Sequence, residues 1–171
     1  MITSEYVRVM AGYNEEMNRR VYAAAERLDD GVRRRQDGAF WTSIHGTLSH
    51  ILWADRLWLS RFADGPKPHV GMDASDRMYE AFTDLKTQRE ETDAYLSRWA
   101  QTVDEAWLKT EMSWMSAVLH REVRAPVRLL VTHLFNHQTH HRGQAHALLT
   151  RAGETVGDTD LFLVVPMEQF A

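Results

Sequence analysis

Apolar residues recur at steps of three and four along most of the chain, a spacing that predicts amphipathic α-helices. The first helix begins near Thr3 or Ser4 and ends at residues 29–31, Asp-Asp-Gly. Its apolar face comprises Tyr6, Val9, Met10, Tyr13, Met17, Val21, Ala24 and Leu28. This face is wide enough to pack against other helices in a core.

A second helix starts within residues 41–44, WTSI, and stops before the Gly65-Pro66 pair. The hydroxyl of Thr42 or Ser43 can accept a hydrogen bond from one of the free backbone amides of the first turn. Both residues remain candidates for the N-cap.

The third helix opens after Asp73 or Ser75 and runs to about Trp99, and the fourth extends from Pro126 to Gly153. The core positions of the third helix are Met78, Phe82, Leu85, Leu96 and Trp99. These residues occupy two positions of a seven-residue repeat, a spacing that favours near-parallel packing in a bundle.

The helical period is lost in residues 107–123, where Trp, Val and Met roughly alternate with polar residues. A short β-hairpin is therefore predicted between the third and fourth helices. Beyond the fourth helix, the sequence predicts a short tail with one more helical turn after Asp160. The chain is thus expected to form an all-α four-helix bundle, with residues 1–171 in one domain.

The amino-acid composition restricts the metal ligands and the partners that the chain can have. The chain has no cysteine, so any metal ligands must be nitrogen or oxygen atoms of His, Asp or Glu. A net charge of −4 disfavours nucleic-acid binding, and no apolar stretch approaches the length of a membrane span. The expected location is the cytoplasm, without contact to a membrane.

Five of the nine histidines lie in residues 133–146, HLFNHQTHHRGQAH, within the fourth helix. Imidazoles four residues apart share a helix face and can converge on one ion. At about 100° per residue, His137 and His141 turn toward the apolar face, whereas His133 and His140 turn toward the polar side. His146 also points away from the pair, and His69 and His120 fall in predicted loops.

A third ligand must come from another helix, since catalytic metal sites commonly take three protein ligands and leave a position for water. The second helix offers His45 and His50. Periodicity favours His50 modestly, because its neighbours Ala54 and Leu57 are apolar.

Two charged residues occupy positions where core residues are expected: Asp55 on the second helix and Arg89 on the third. Burying either alone would cost several kcal/mol, so they are predicted to meet each other or another buried partner. Alternatively, Asp55 accepts a hydrogen bond from a ligating histidine. Gln144 lies one turn beyond His140 and His141 and either orients a ligand or a substrate or is a solvated surface residue.

The segments GTLSHILWADRLWLSRF, HLFNHQTHHRGQAHALLTRAG and DTDLF closely resemble the DinB family of small bacterial proteins. The resemblance implies a four-helix bundle, usually a homodimer, that binds a divalent metal ion such as zinc, nickel or iron. Matched residue by residue, its three ligands fall on His50, His137 and His141.

Members of this broad superfamily include thiol-dependent transferases and isomerases, in which the metal is thought to activate a low-molecular-weight thiol. The resemblance therefore implies a metal-dependent enzyme of the thiol-transferase or hydrolase type that acts on a small molecule. The alternative is a non-catalytic, metal-stabilised or metal-sensing dimeric bundle.

Overall fold

The structure, a computed structural model, describes residues 1–117 and 119–165. Four long helices form the bundle: α1 (Ser4–Glu26), α3 (Ile44–Phe62), α4 (Phe82–Thr102) and α6 (Val127–Arg151). The shorter elements are α2 (Asp30–Arg34), α5 (Glu105–Leu108), α7 (Leu161–Val164), β1 (Glu111–Ser116) and β2 (Arg121–Pro126). A mostly helical bundle with one small sheet confirms the predicted fold class.

The N-termini of α1 and α3 are capped by hydroxyl groups. Thr3 Oγ1 accepts a hydrogen bond from the backbone amide of Tyr6 at 3.1 Å. Ser43 Oγ accepts one from Gly46 at 3.0 Å, so Ser43 and not Thr42 is the cap of α3. These bonds satisfy amides that have no partner within the helix.

The third long helix begins later than the sequence predicts. Residues Met72–Arg77 form a separate 3₁₀ helix, and α4 starts only at Phe82. Ser49 of α3 holds this segment in place, because its hydroxyl donates to the carbonyl of Ser75 at 2.7 Å and accepts from the amide of Met78 at 3.0 Å. The polar residues that suggested a helix start therefore serve a different turn, which packs on α3.

Two further boundaries differ from prediction. Helix α1 ends at Glu26, before the predicted end at residues 29–31, and Asp30 and Gly31 belong to the short helix α2. Pro126 ends β2 and precedes the first residue of α6, so the hairpin leads directly into the helix. Gly153, at φ +90°, follows α6 in the left-handed conformation that favours glycine.

The predicted hairpin is present. Strands β1 and β2 pair antiparallel, with Trp114 opposite Val123. Trp114 then reaches α3, where its ring meets Trp58 edge to face at a centroid distance of 5.7 Å. The hairpin thus covers one side of α3 close to α6.

The interior consists of two apolar clusters with a buried polar layer between them. One cluster includes Leu48, Leu52 and Leu149, and the other includes Leu59 and Leu134. The polar layer takes residues from all four long helices: Asn14, Asn18, Asp55, Arg89, Asp93, Gln138 and Arg142, none more than 5% exposed. None of the helices in the described part of the chain combines the length and apolar composition needed to cross a bilayer.

Candidate metal centre

His50 of α3 and the pair His137 and His141 of α6 lie together in the structure. One ring nitrogen from each falls within 4.8 Å of the others, and the two Nε2 atoms of His50 and His137 are 3.3 Å apart. Two nitrogens bound to a tetrahedral ion at 2.0–2.1 Å are themselves about 3.3 Å apart. The spacing therefore fits ligation of a single ion.

The ring of His50 is oriented by Ser75, which lies on the 3₁₀ helix and is fully buried. His50 Nδ1 is 3.0 Å from Ser75 Oγ, and that hydroxyl donates its own proton to the carbonyl of Met72 at 2.8 Å. Ser75 Oγ is therefore the acceptor, and Nδ1 carries the proton. The lone pair of Nε2 then faces His137, as a metal ligand requires.

Gln144 plays the corresponding role for His141. Its Oε1 is 2.8 Å from His141 Nδ1, while its Nε2 is 3.4 Å from the ring of His140. The side-chain carbonyl accepts a hydrogen bond from Nδ1–H and leaves the lone pair of His141 Nε2 free. Of the two interpretations of Gln144, the structure thus supports orientation of a ring that faces the cluster.

Burial keeps the three imidazoles uncharged. Burial, assisted by the neighbouring imidazoles, lowers the pKa of His50 and of His137 to about 3. Burial likewise lowers the pKa of His141, opposed by its hydrogen bond to Gln144. The neutral ring is the form that binds metal, so the site needs no proton loss near neutral pH.

The alternative third ligand, His45, is buried elsewhere on α3. Its Nε2 is 2.8 Å from the carbonyl of Tyr79, and it does not join the cluster. His133 packs edge to face against Trp58, with centroids 5.3 Å apart. His69 contacts the carbonyl of Met78 at 3.1 Å, and His120 sits exposed in the hairpin turn.

A cavity of about 660 Å³ opens beside His50 and His137. Four tryptophans contribute to its walls: Trp41, Trp53, Trp58 and Trp114. Trp41 stacks directly on the His50 ring at a centroid distance of 3.9 Å. The histidines therefore stand at the wall of an aromatic pocket large enough for a small molecule.

Asp55 and Arg89 form the predicted ion pair. Arg89 donates to Asp55 at 2.6 Å and also lies 2.8 Å from Asp93. Within the described residues, no hydrogen bond joins Asp55 to a histidine, so the alternative role of Asp55 was wrong. Asn18 donates to Asp93 at 2.9 Å, and Arg142 donates to Asn14.

Sequence reasoning missed two residues of the centre, Ser75 and Trp41. Both lie outside the long helices, in segments without a hydrophobic period. They lie beside His50 only because the loop before α3 and the 3₁₀ helix pack against α3, which the sequence pattern does not reveal. For Ser75 the sequence offers only a polar residue between the second and third helices, and its burial becomes evident only in the structure.

The fold and the site define a helical-bundle protein with a cluster of three histidines from two facing helices, next to a pocket that His50 and His137 line. The chain belongs to the DinB family, whose family model matches residues 1–169. "Protein DinB" of Bacillus subtilis (strain 168) is 23% identical over 167 residues, covering 96% of each chain. The crystal structure of a DinB-like protein from Bacillus cereus ATCC 10987 superposes with a TM-score of 0.61 at 19% identity, covering 83% of this chain and 89% of that one.

Proposed function

We propose that the chain, as one domain of residues 1–171, binds one divalent metal ion through His50, His137 and His141. We further propose that it is a metal-dependent enzyme of the thiol-transferase or hydrolase type that acts on a small molecule. The observation that carries the proposal is the convergence of three imidazoles, two of which, those of His50 and His137, line a 660 Å³ pocket.

The donor set fits such an ion. Three imidazoles suit zinc, nickel or iron, and the spacing of 3.3 Å between two Nε2 atoms matches neighbouring ligands on one metal. The hydrogen bonds from Nδ1 of His50 and His141 also leave the Nε2 atoms available. A bound ion supplies Lewis acidity that lowers the pKa of a coordinated water or low-molecular-weight thiol.

The protein's own side chains perform the remaining tasks. Ser75 and Gln144 fix the rings of His50 and His141, and Trp41 covers one face of His50. The indole walls exclude water and offer an apolar surface to the substrate. Substrate would enter through the pocket and not through the bundle core, which the polar layer and its ion pairs fill.

The competing function is a non-catalytic bundle stabilised by metal or sensing it. A closed structural site commonly has four protein ligands, whereas this cluster contains three among the described residues. The open pocket beside it favours chemistry. The family resemblance and the lack of cysteine support two further proposals, a homodimer and a cytoplasmic location.

Metal content after purification tests the site. The unmodified protein should hold close to one divalent ion per chain, measured by elemental analysis, and His50→Ala, His137→Ala and His141→Ala should each lose it. His146→Ala is the matched control, since it lies on α6 outside the cluster. Uptake that survives all three substitutions would remove the site from consideration.

Cobalt replacement separates an enzyme from a structural site. Small thiols added to the cobalt-loaded protein should produce a sulfur-to-cobalt charge-transfer band, because the pocket leaves a coordination position accessible. If hydrolysis is the reaction, the metal-loaded protein should turn over a panel of activated esters and amides, whether or not thiols produce a band. The absence of both the thiol band and ester or amide turnover would favour the non-catalytic alternative.

A further inference from the structure

The pocket beside the histidines contains a cation that is held by aromatic rings. Arg61, near the C-terminal end of α3, places its guanidinium carbon 4.8 Å from the ring centre of Trp58 and 5.6 Å from that of Trp114. Both indoles line the pocket. Stacking on a ring face leaves the N–H groups at the edge of the guanidinium free to bind an acceptor.

No carboxylate neutralises this cation in the described part of the chain. Arg61 takes part in none of the ion pairs within 4.0 Å, although the protein carries 24 acidic residues. The residues that line the pocket include a second cation, Lys67, but no Asp or Glu. In a protein of net charge −4, a cationic and aromatic pocket calls for a partner of opposite charge.

The burial of Arg61 points the same way. Its side chain is partly buried, and burial lowers its pKa, although a guanidinium remains protonated at neutral pH. A half-buried cation without an anion lacks part of its solvation. An anionic ligand would restore that stabilisation.

Arg61 and His50 both line the pocket from well-separated positions on α3. Arg61 follows His50 by 11 residues on α3, which separates their Cα atoms by about 16 Å along the helix axis. Helical side chains lean toward the N-terminus, so Arg61 extends back along the pocket toward His50. The indoles of Trp53 and Trp58 lie on the stretch of α3 between them.

We propose that this pocket binds a small molecule with a planar apolar body and a carboxylate at one end. The carboxylate binds Arg61, assisted by Lys67, and the planar body packs against the indoles. The other end of the molecule reaches His50 and His137. Naming this molecule as the substrate rests on the proposed function, whereas its binding to Arg61 does not.

Two matched probes, naphthoate and naphthalenemethanol, test the charge requirement because they share a planar body. Binding is followed by the ¹H–¹⁵N signals of the tryptophan indoles, assigned by single substitutions. Naphthoate should bind about tenfold more tightly or better, the discrimination typical of a charge-assisted hydrogen bond. It should shift the signals of Trp58 and Trp114 and leave Trp99, in the apolar core, unchanged.

Arg61→Gln should abolish the preference for naphthoate, and Arg61→Lys should restore part of it. Arg98→Gln is the control, because Arg98 also lies near an aromatic ring, 6.0 Å from Tyr95, but outside the pocket. Equal affinity for the two probes, or a preference that survives Arg61→Gln in a folded protein, would overturn the proposal. The role of Arg61 would then be limited to packing against the ring of Trp58.

The same measurements on the metal-free protein and on His137→Ala separate this inference from the proposed function. Naphthoate binding that depends on Arg61 and persists in these two samples would show that the anion site does not require the metal. If the unmodified protein also takes up no metal, the anion site stands and the metal site is refuted. Normal metal uptake together with equal affinity for the two probes would support the metal site and refute the anion site.

Discussion

Replacing Arg89 with methionine should destabilise the protein strongly, because Arg89 forms ion pairs with two buried carboxyl groups. It is 1% exposed and lies 2.6 Å from Asp55 and 2.8 Å from Asp93. Removing one partner of a buried ion pair costs about 3–5 kcal/mol. Arg142 and the amide of Asn18 remain near the carboxylates, so we expect a loss within this range and not beyond it.

The loss of stability in Arg89→Met should depend on pH, and the direction of this dependence follows from the pKa values of the two buried carboxyl groups. Burial raises the pKa of Asp93 to about 7 and also raises that of Asp55, while Arg89 opposes both shifts. Without Arg89, both pKa values rise further above their unfolded values near 4. The folded variant then binds more protons than the unfolded chain, so its stability falls as pH rises from about 4 through 7 and beyond.

Urea unfolding between pH 5 and pH 8 measures both effects. Arg89→Met should lower the free energy of unfolding by about 3–5 kcal/mol at pH 8 and by less at pH 5. The melting temperature should fall by roughly 10 °C at neutral pH. Arg98→Met on the exposed face of α4 is the control and should stay within about 0.5 kcal/mol of the unmodified protein.

Removing a buried carboxylate that has lost its ion-pair partner provides an internal check on the cause of the destabilisation. Adding Asp93→Asn to Arg89→Met should recover part of the lost stability at pH 8, since one buried carboxylate disappears. A loss below about 1 kcal/mol, or a loss independent of pH, would refute the view that Arg89 acts by neutralising these groups.

Three further substitutions test the centre and its supports. Ser75→Ala deprives His50 Nδ1 of its acceptor and should weaken metal binding about tenfold or more in a chelator competition, whereas Ser97→Ala on α4 should not; equal affinities would mean that Ser75 does not orient the ring. Gly46→Ala places a Cβ 2.3 Å from the carbonyl oxygen of Trp41, so it should cost about 1–3 kcal/mol on thermal unfolding and displace the indole that stacks on His50; an unchanged melting temperature would contradict this. Ser43→Ala removes the cap of α3 and should cost about 1 kcal/mol, while Thr42→Ala should cost less because that hydroxyl does not cap the helix.

The sequence predicted the parts of the centre that depend on helical geometry. His137 and His141 follow from spacing and face on one long helix, where periodicity is a strong guide. The choice between His50 and His45 was weaker, because both occupy buried positions on α3. What separates them is a contact with the next segment, the carbonyl of Tyr79, which helix periodicity does not encode.

The parts of the centre that the sequence did not predict lie in segments outside the long helices, which pack on the bundle through long-range contacts. Ser75 and Trp41 meet His50 only because the 3₁₀ helix and the loop before α3 pack on that helix. The same 3₁₀ helix explains the late start of α4, since polar residues suited to a helix cap instead shape a turn held by Ser49. The ion pair of Asp55 and Arg89 was predictable because an isolated charge in an apolar stripe demands a partner.

The buried polar layer has a consequence for the order of folding and metal binding. Sliding α6 along α3 by one turn, about 5.4 Å, would move Gln138 and Arg142 away from their polar neighbours and toward leucines. Gln138 and Arg142 each follow a histidine of the cluster directly in sequence. Burial of Gln138 and Arg142 in the polar layer therefore also places His137 and His141 beside His50. We expect folding itself to preorganise the centre before an ion binds.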